Sequence, residues 1–162
     1  MRLIHWLFVV SAALFISGIG FIIAGARTTQ AASPAEAPPA ITPVATVKQI
    51  MDAIVAPAAT AVFESVGTTV DATGIHEQEP GTDAEWAAVG ASAAALVESA
   101  NLLVIGDRAI DRQDWVTMSK ALADAGMQVL EATNAKDAMG VLAAGETLNA
   151  SCDSCHQRYS RE

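Results

Sequence analysis

The sequence is poor in aromatic residues and in basic residues. Aromatic side chains make up 5% of the 162 residues, while apolar residues, alanine above all, make up 52%. Because alanine favours packed helices far more than strands, this balance predicts a helical protein. Lysine and arginine together number 9 against 18 acidic residues, a net charge of −9. Such a chain repels a phosphate backbone, so nucleic acid is not expected as a partner.

Two further absences narrow the class of protein. The sequence lacks an alternating run of apolar and polar residues long enough to support a β-sheet. Its 162 residues suffice for one ordinary domain plus an appendage, because most domains contain about 100 to 200 residues. We therefore expect an all-α protein with a single domain, and a multidomain enzyme is excluded.

What the sequence does have is a long apolar run at its start, from Leu3 to Ala26. A secretory signal peptide needs an apolar region of about 7 to 15 residues and a small-residue cleavage site, whereas a membrane-spanning helix needs about 20 apolar residues. The run satisfies both, since Ala24-Gly25-Ala26 offers such a site. Residues 1–26 are therefore predicted to be a signal peptide or an uncleaved membrane anchor. We favour the anchor, with the rest of the chain in the periplasm, tethered to the inner membrane.

Residues 27–45 form a Pro/Ala-rich stretch that contains four of the six prolines. Such a composition is typical of a linker, and an extended polyproline-type chain holds a folded domain away from its anchor. The folded domain is accordingly expected to be residues 46–162.

Within residues 46–162, apolar residues recur at three- and four-residue intervals, which predicts four helices, A to D. Helix A is expected from Thr46 to about Val66, with a kink near Pro57, because proline lacks the backbone N–H that a helix interior needs. Helix B is expected to end near Gly106. The expected helix starts are the capping box Thr82–Glu85 for B, Asp111 or Asp114 for C, and Thr133 or Asn134 for D. Short connections after B favour an antiparallel up-down-up-down four-helix bundle.

Near the end of helix D, Cys152-Asp153-Ser154-Cys155-His156 has the C-x-x-C-H form of a c-type haem attachment site. On a helix, the two cysteines and the histidine lie within roughly 100° of arc, so all three side chains face one way. The two thiols can then bind the two vinyl groups of the porphyrin while the adjacent imidazole binds iron. We predict one covalently bound haem c, held by Cys152 and Cys155, with His156 as the proximal iron ligand.

Three other uses of the motif are open. A redox pair resembling thioredoxin is expected at the start of a helix that follows a strand, not near the end of a helix. A zinc site needs a fourth ligand, and the only other histidines are His5, in the apolar run, and His76, in the loop between A and B. A structural disulfide is the third.

The motif lies close to the C-terminus on the last of four predicted helices, and Tyr159 follows three residues after His156. In these features the chain resembles the cytochrome c′ family over about residues 45–162. The resemblance implies a haem c at one end of the bundle, with a distal face that is open in some members and bound by a methionine of the first helix in others. It also implies a protein without a catalytic acid–base constellation, so we expect no enzyme. The family often has a basic residue directly after the tyrosine, whereas this chain has Ser160, with Arg158 and Arg161 nearby.

If the helices alternate in direction, the end of D lies beside the start of A, the end of B and the start of C. Met139 is excluded as an iron ligand because the helix separates it from Cys152 by about 20 Å, and His76 is excluded because its loop lies at the opposite end. Lys48, Arg108 and Arg112 are candidates to neutralise the haem propionates. The side chains expected around the haem are Val47, Met51, Ile54, Ala100, Leu103, Val104, Trp115, Met118 and Ser119.

Met51 is the expected distal iron ligand, because it lies about one turn into helix A at the end where His156 must be. Met118 competes for this position, and an open iron site is the third arrangement. A His/Met pair raises the reduction potential, which suits one-electron transfer to a redox partner that the sequence does not identify.

The alternative function is a five-coordinate haem module that binds or senses a diatomic gas such as NO or CO. Helical-bundle proteins often pair as homodimers, but no residue here identifies an interface.

Overall fold

The computed structural model describes residues 2–29 and 41–160, except for the side chains of Leu3 and of residues 20–29. The chain divides into two units, Met1–Ala40 and Ile41–Glu162. In the first unit, helix α1 covers Arg2–Thr29. This helix continues through the predicted cleavage site at residues 24–26. Its side chains from residue 4 to residue 19 are exposed, and they include large apolar residues such as Trp6 and Phe8. Most of the predicted linker lies outside the described residues.

The second unit is mostly helical, as expected. A continuous helical segment consists of α2 (Val47–Ile50), a π-helical turn (Met51–Val55) and α3 (Ala56–Phe63). The elements that follow are β1 (Gly67–Asp71), β2 (Gly74–Gln78), α4 (Asp83–Leu103), a 3₁₀ turn (Gly106–Arg108), α5 (Asp114–Asn134) and α6 (Ala138–Tyr159). Among the residues whose side chains are described, α4 is the one helix that is long and apolar enough to cross a membrane by length and composition, while Ile4–Ile19 of α1 form a shorter apolar stretch. Its apolar face is buried in the core, which accounts for that composition.

The first helical segment is capped at its start by Thr46 and is made irregular by Pro57. At the cap, Gln49 N donates to Thr46 Oγ1 (3.2 Å) and Thr46 N donates to Gln49 Oε1 (2.9 Å). Since Pro57 has no N–H to continue the α-helical ladder, the preceding turn widens, and the Ala56 N–H bonds to the Met51 carbonyl five residues back. The irregularity expected near Pro57 thus takes the form of a π-helical turn.

The expectation that no strands would form was wrong for the connection between α3 and α4. There β1 and β2 pair as an antiparallel hairpin, with Val70 opposite Ile75. Gly74 makes the turn with a φ of +140°, and the Asp71 carboxylate accepts a hydrogen bond from Thr73 N (2.7 Å). Strands of five residues are too short to show a clear alternation in the sequence.

The expected start of the last helix was also wrong. Thr133 cannot cap it because its hydroxyl donates to the Leu130 carbonyl (2.8 Å), and α5 continues to Asn134. Lys136 then adopts a φ of +54°, which turns the chain. Asp137 is the cap, since its carboxylate accepts a hydrogen bond from Gly140 N (2.9 Å). By contrast, the capping box of Thr82 and Glu85 at the start of α4 is confirmed.

Neighbouring helices pack in opposite directions. The Trp115 indole, at the start of α5, donates to the Leu103 carbonyl at the end of α4 (2.7 Å). At the other end of this pair, Gly90 of α4 lies beside Thr133 of α5. In the same way, the end of α6 bonds to the residues before α5 through Tyr159, while Gly140 at its start lies beside Ala132.

The first helical segment is antiparallel to α6, because Phe63 near its end lies beside Gly145 while Met51 near its start lines the same cavity as His156. The start of this segment, the end of α4, the start of α5 and the end of α6 therefore lie at the same end of the unit. The core between the helices is apolar, and its most completely buried large side chains are Leu96, Leu148, Val62, Val129 and Val141.

Arg108 ties this end of the unit together. Its Nε and Nη2 donate to the Ala45 carbonyl (3.0 and 2.7 Å), and its Nη1 donates to the Leu102 carbonyl (2.9 Å). The residue before α2 is thereby fixed to the end of α4. Because three N–H groups of the guanidinium donate to backbone carbonyl groups, Arg108 has a structural task at this end of the unit.

The Arg108→Lys variant should lower the free energy of unfolding by about 1 to 3 kcal/mol, since a lysine cannot reproduce the forked set of hydrogen bonds. Urea unfolding followed by circular dichroism measures the change. Arg112→Lys is the matched control, because Arg112 is exposed and its side chain makes no hydrogen bond or ion pair with the described residues. Equal stability of the two variants would contradict a structural task for Arg108.

Candidate haem-binding site

Helix α6 brings the three residues of the motif to one cavity, as the spacing predicted. Cys152 and Cys155 are half-buried free thiols, and His156 lies at the more exposed edge. Burial raises the pKa of both thiols, and for Cys152 the neighbouring Asp153 carboxylate raises it further. A redox C-x-x-C pair depends on a lowered thiol pKa, so this environment argues against the thioredoxin-like use of the motif.

Four helical elements line the cavity, whose volume is about 30 Å³. Apart from two serines and the motif, the lining is apolar and includes two thioethers. The full set is Met51, Val55, Leu103, Met118, Ser119, Leu122, Ser151, Cys152, Cys155 and His156. The structure therefore places both candidate distal ligands, Met51 and Met118, in the same space as His156.

Of the side chains expected around the haem, Met51, Leu103, Met118 and Ser119 line the cavity. The other five, Val47, Ile54, Ala100, Val104 and Trp115, do not line the cavity, whereas Val55 and Leu122 do and were missed. Val55 replaces Ile54 because the π-helical turn shifts the inward face, so that Ile50 and Val55, five residues apart, are the buried pair. Leu122 follows Ser119 by one turn on the buried stripe of α5, a pattern that the sequence contains.

The donor set fits a haem c in its chemistry. Two thiols and an imidazole converge on an apolar space with thioethers in its wall, which is the set that covalent attachment and iron ligation require. The volume of about 30 Å³ is small beside the several hundred Å³ of a typical cofactor pocket. Admission of a porphyrin therefore requires wall side chains to turn away or the helices to separate.

A network of polar side chains fixes the end of α6. The Tyr159 hydroxyl donates to Asp111 Oδ2 (2.6 Å), and Asp111 Oδ1 accepts from Trp115 N (2.9 Å). Arg158 pairs with Asp114 (2.6 Å) and donates to the Tyr159 oxygen (3.1 Å). The hydrogen bond from Tyr159 is the main reason that the pKa of Asp111 lies below its ordinary value. This network holds the last turn of α6, directly after His156, against the start of α5.

Trp115 supports this network from the core. It is 3% exposed, and its ring meets Tyr159 edge to face with the centroids 4.9 Å apart. Since Trp115 does not line the cavity, it is a packing residue behind the site.

Among the described residues, Met139, His76 and Lys48, which the sequence also singled out, do not line the cavity. Met139 is exposed at the start of α6, and the His76 ring contacts Thr73 Oγ1 (2.8 Å) in the hairpin. Lys48 pairs with Asp52 on the surface, and Arg161 lies outside the described residues. Within the part of the chain that the structure describes, no three His, Cys, Asp or Glu side chains are grouped so that they could hold a metal ion.

Comparison with protein-family models, curated proteins and solved structures gives no match for this chain. The resemblance to the cytochrome c′ family therefore rests on the residues of this chain alone.

The Tyr159→Phe variant should be less stable than the wild type at neutral pH, because it loses the hydrogen bond to Asp111. Asp111 has a lowered pKa in the folded state, so the bond stabilises the fold above the ordinary value of 3.8, and this contribution is lost as the pH falls through the folded pKa. The difference in melting temperature between variant and wild type should therefore shrink below about pH 3.8.

In an Asp111→Asn background, Tyr159→Phe should show no such pH dependence, since no carboxylate remains to be protonated. If the difference between Tyr159→Phe and the wild type instead stays constant on acidification, Tyr159 acts by packing on Trp115 rather than through the carboxylate.

Proposed function

We propose that this chain is a monohaem c-type cytochrome that transfers single electrons outside the cytoplasmic membrane. The observation that carries the proposal is the convergence of Cys152, Cys155, His156 and Met51 on one apolar cavity. When bound, the haem supplies the one-electron redox couple, and the chain sets ligation, burial and access.

The side chains of the motif have distinct tasks. Each cysteine would add across one vinyl group of a bound haem, with its Sγ bonding to one vinyl carbon and the thiol hydrogen passing to the other, so no oxidant would be needed. His156 would hold iron through an imidazole nitrogen. Met51 would hold iron through its sulfur and would raise the reduction potential, while Val55, Leu103 and Leu122 keep water away from the site.

The proposed architecture is a cytochrome c′-like antiparallel four-helix bundle over residues 46–162. The antiparallel contacts of the first helical segment, α4, α5 and α6 support it, and so does the position of the motif at the end where the bundle would hold its haem.

The proposed location is the periplasm, with the N-terminal segment as an uncleaved anchor in the inner membrane. In bacteria, covalent haem attachment takes place outside the cytoplasmic membrane, so the motif and an export segment belong together. The 28 residues of α1 have a length of about 42 Å at 1.5 Å per residue, which is enough to cross a hydrocarbon core of about 30 Å.

The second candidate function is a haem module that binds NO or CO. The apolar lining of the cavity favours it, because a neutral diatomic molecule enters such a space without the desolvation cost that an ion meets. The two candidates differ in whether a protein side chain holds the sixth position on iron.

Covalent attachment is tested by haem staining of a denaturing gel. The wild-type chain, produced with an intact maturation system, should stain, and a Cys152→Ser, Cys155→Ser double variant should not. Ser154→Ala, which changes an exposed residue between the two cysteines, should stain like the wild type. Complete extraction of the wild-type haem into acidified organic solvent would refute covalent attachment.

Distal ligation is tested by the optical spectrum. Met51→Ala should convert a low-spin spectrum to a high-spin one and make the reduced haem bind carbon monoxide readily, because the thioether no longer occupies the iron. Met118→Ala is the matched control in the same cavity and should leave the spectrum low-spin. A wild-type spectrum that is already high-spin, and that Met51→Ala does not alter, would replace electron transfer by gas binding.

A further inference from the structure

The hairpin of β1 and β2 projects from the helices at the end of the unit opposite the cavity. Every residue from 68 to 79 is exposed. Among the hydrogen bonds of the described residues, one side chain of the hairpin reaches a helix end, since Gln78 Nε2 donates to the Glu64 carbonyl (2.6 Å). An isolated two-stranded hairpin is only marginally stable in water, so a partner that covers this one would stabilise it.

The face of the hairpin that points away from the helices carries an apolar pair. Side chains alternate between the two faces of a strand, and Gln78 points toward Glu64, so Ile75 and Glu77 lie on the opposite face. Val70 is paired with Ile75 across the strands, and the two side chains are 74% and 71% exposed. They offer an apolar surface that no described residue covers.

The edges of the hairpin are also free. Within the described residues the sheet consists of β1 and β2 alone. Each strand therefore leaves one edge whose backbone N–H and C=O groups have no strand partner, and such an edge is a template for a further strand. An extended segment that paired there would place alternate side chains over Val70 and Ile75.

The charge around the hairpin is of one sign. Between Lys48 and Arg108 the sequence contains nine acidic residues and no lysine or arginine. Within the described part of the chain, Glu64, Glu77 and Glu79 form no ion pair.

A groove of about 350 Å³ lies at the base of the hairpin. The charged residues that line it are Glu64, Glu79 and Glu85, and none of its lining residues is basic. The lysine at this end of the unit, Lys136, is already paired with Asp83 (2.6 Å). A positively charged side chain of a partner would therefore meet carboxylates without competition from a cation of this chain.

This charge decides among the occupants that a free hairpin edge allows. A second copy of the chain would bring carboxylates against carboxylates, which is unfavourable, and an anionic lipid surface would be repelled in the same way. A segment in which Lys or Arg alternates with apolar residues complements both the apolar pair and the carboxylates.

We propose that the hairpin is a docking site for an extended basic segment of another protein, which adds a strand to the sheet. Its apolar side chains would pack on Val70 and Ile75, and its Lys or Arg side chains would pair with Glu64, Glu77 and Glu79. This inference does not depend on the proposed haem site. Because the hairpin and the cavity lie at opposite ends of the unit, a partner docked here leaves the cavity end free.

The experiment measures binding of a fluorescent peptide of alternating lysine and valine to the full chain in an uncharged detergent, by fluorescence anisotropy. The peptide is long enough to cover the five residues of β1. Binding should saturate and should weaken as salt is added, since exposed charges are screened. A peptide with glutamate in place of lysine should not bind. A lysine–valine peptide with a central proline should bind several-fold more weakly, because proline removes a ladder hydrogen bond.

Two variants of the chain test the two components of the surface. Glu77→Gln with Glu79→Gln should weaken binding several-fold. Glu98→Gln with Glu146→Gln is the matched control, because it removes the same charge from exposed positions on α4 and α6 outside the groove, and it should bind like the wild type.

Val70→Thr with Ile75→Thr removes the apolar pair but keeps β-branched side chains that suit a strand, and it should also weaken binding several-fold. Nuclear magnetic resonance shows whether the hairpin persists, through the pairing of Thr69 with His76. If it does not persist, the glutamate variant and its control decide the question.

Equal binding by the glutamate variant and its control would overturn the proposal, and so would a lysine–valine peptide that fails to bind or that tolerates the central proline. Concentration-dependent dimers of the wild type that Val70→Thr with Ile75→Thr abolishes would assign the hairpin to a second copy of the chain instead.

Discussion

The hydrogen bond from Tyr159 to Asp111 is the contact on which the candidate site depends most. It fixes the last turn of α6, directly after His156, to the residues that begin α5, and Trp115 joins the same point to the end of α4 through its bond to the Leu103 carbonyl. Arg108 adds the residue before α2 to this arrangement. Side chains from four separate parts of the chain can then line one cavity, because the ends that carry them are held at fixed positions.

Pro57 is the second residue that determines the shape of the cavity, because it alters the helical segment that supplies Met51 and Val55 to the cavity wall. Its missing N–H is accommodated by the π-helical turn from Met51 to Val55, which changes the spacing of the inward face from four residues to five. Val55 is therefore buried at the cavity and Ile54 is not part of it. A local irregularity in one helix thus selects which side chains can meet a ligand, and Met51 lies at the start of this turn.

The polar groups around the site are largely committed to structure. Arg158 and Asp114 pair with each other, and Asp111 accepts from both Tyr159 and the Trp115 backbone. Apart from the motif, the lining of the cavity is apolar except for Ser119 and Ser151. An iron site in such surroundings would be shielded from water and from ions, which suits either a His/Met electron carrier or the binding of a neutral gas molecule. The choice between them lies with the sixth ligand.

The sequence by itself determined the helical class, the capping box at Thr82, and the placement of Cys152, Cys155 and His156 on one helix face, because these depend on composition and on spacing within a single helix. It also indicated that Met51, Leu103, Met118 and Ser119 would lie near His156, since alternating helices bring alternate ends together. Only the tertiary structure decided that Val55 replaces Ile54, that Trp115 packs behind the cavity, and that Arg108 bonds to the Ala45 carbonyl. The first feature follows from the π-helical turn that interrupts the regular α-helical period, and the other two follow from contacts between residues far apart in the chain. The periodicity of a regular α-helix encodes none of them.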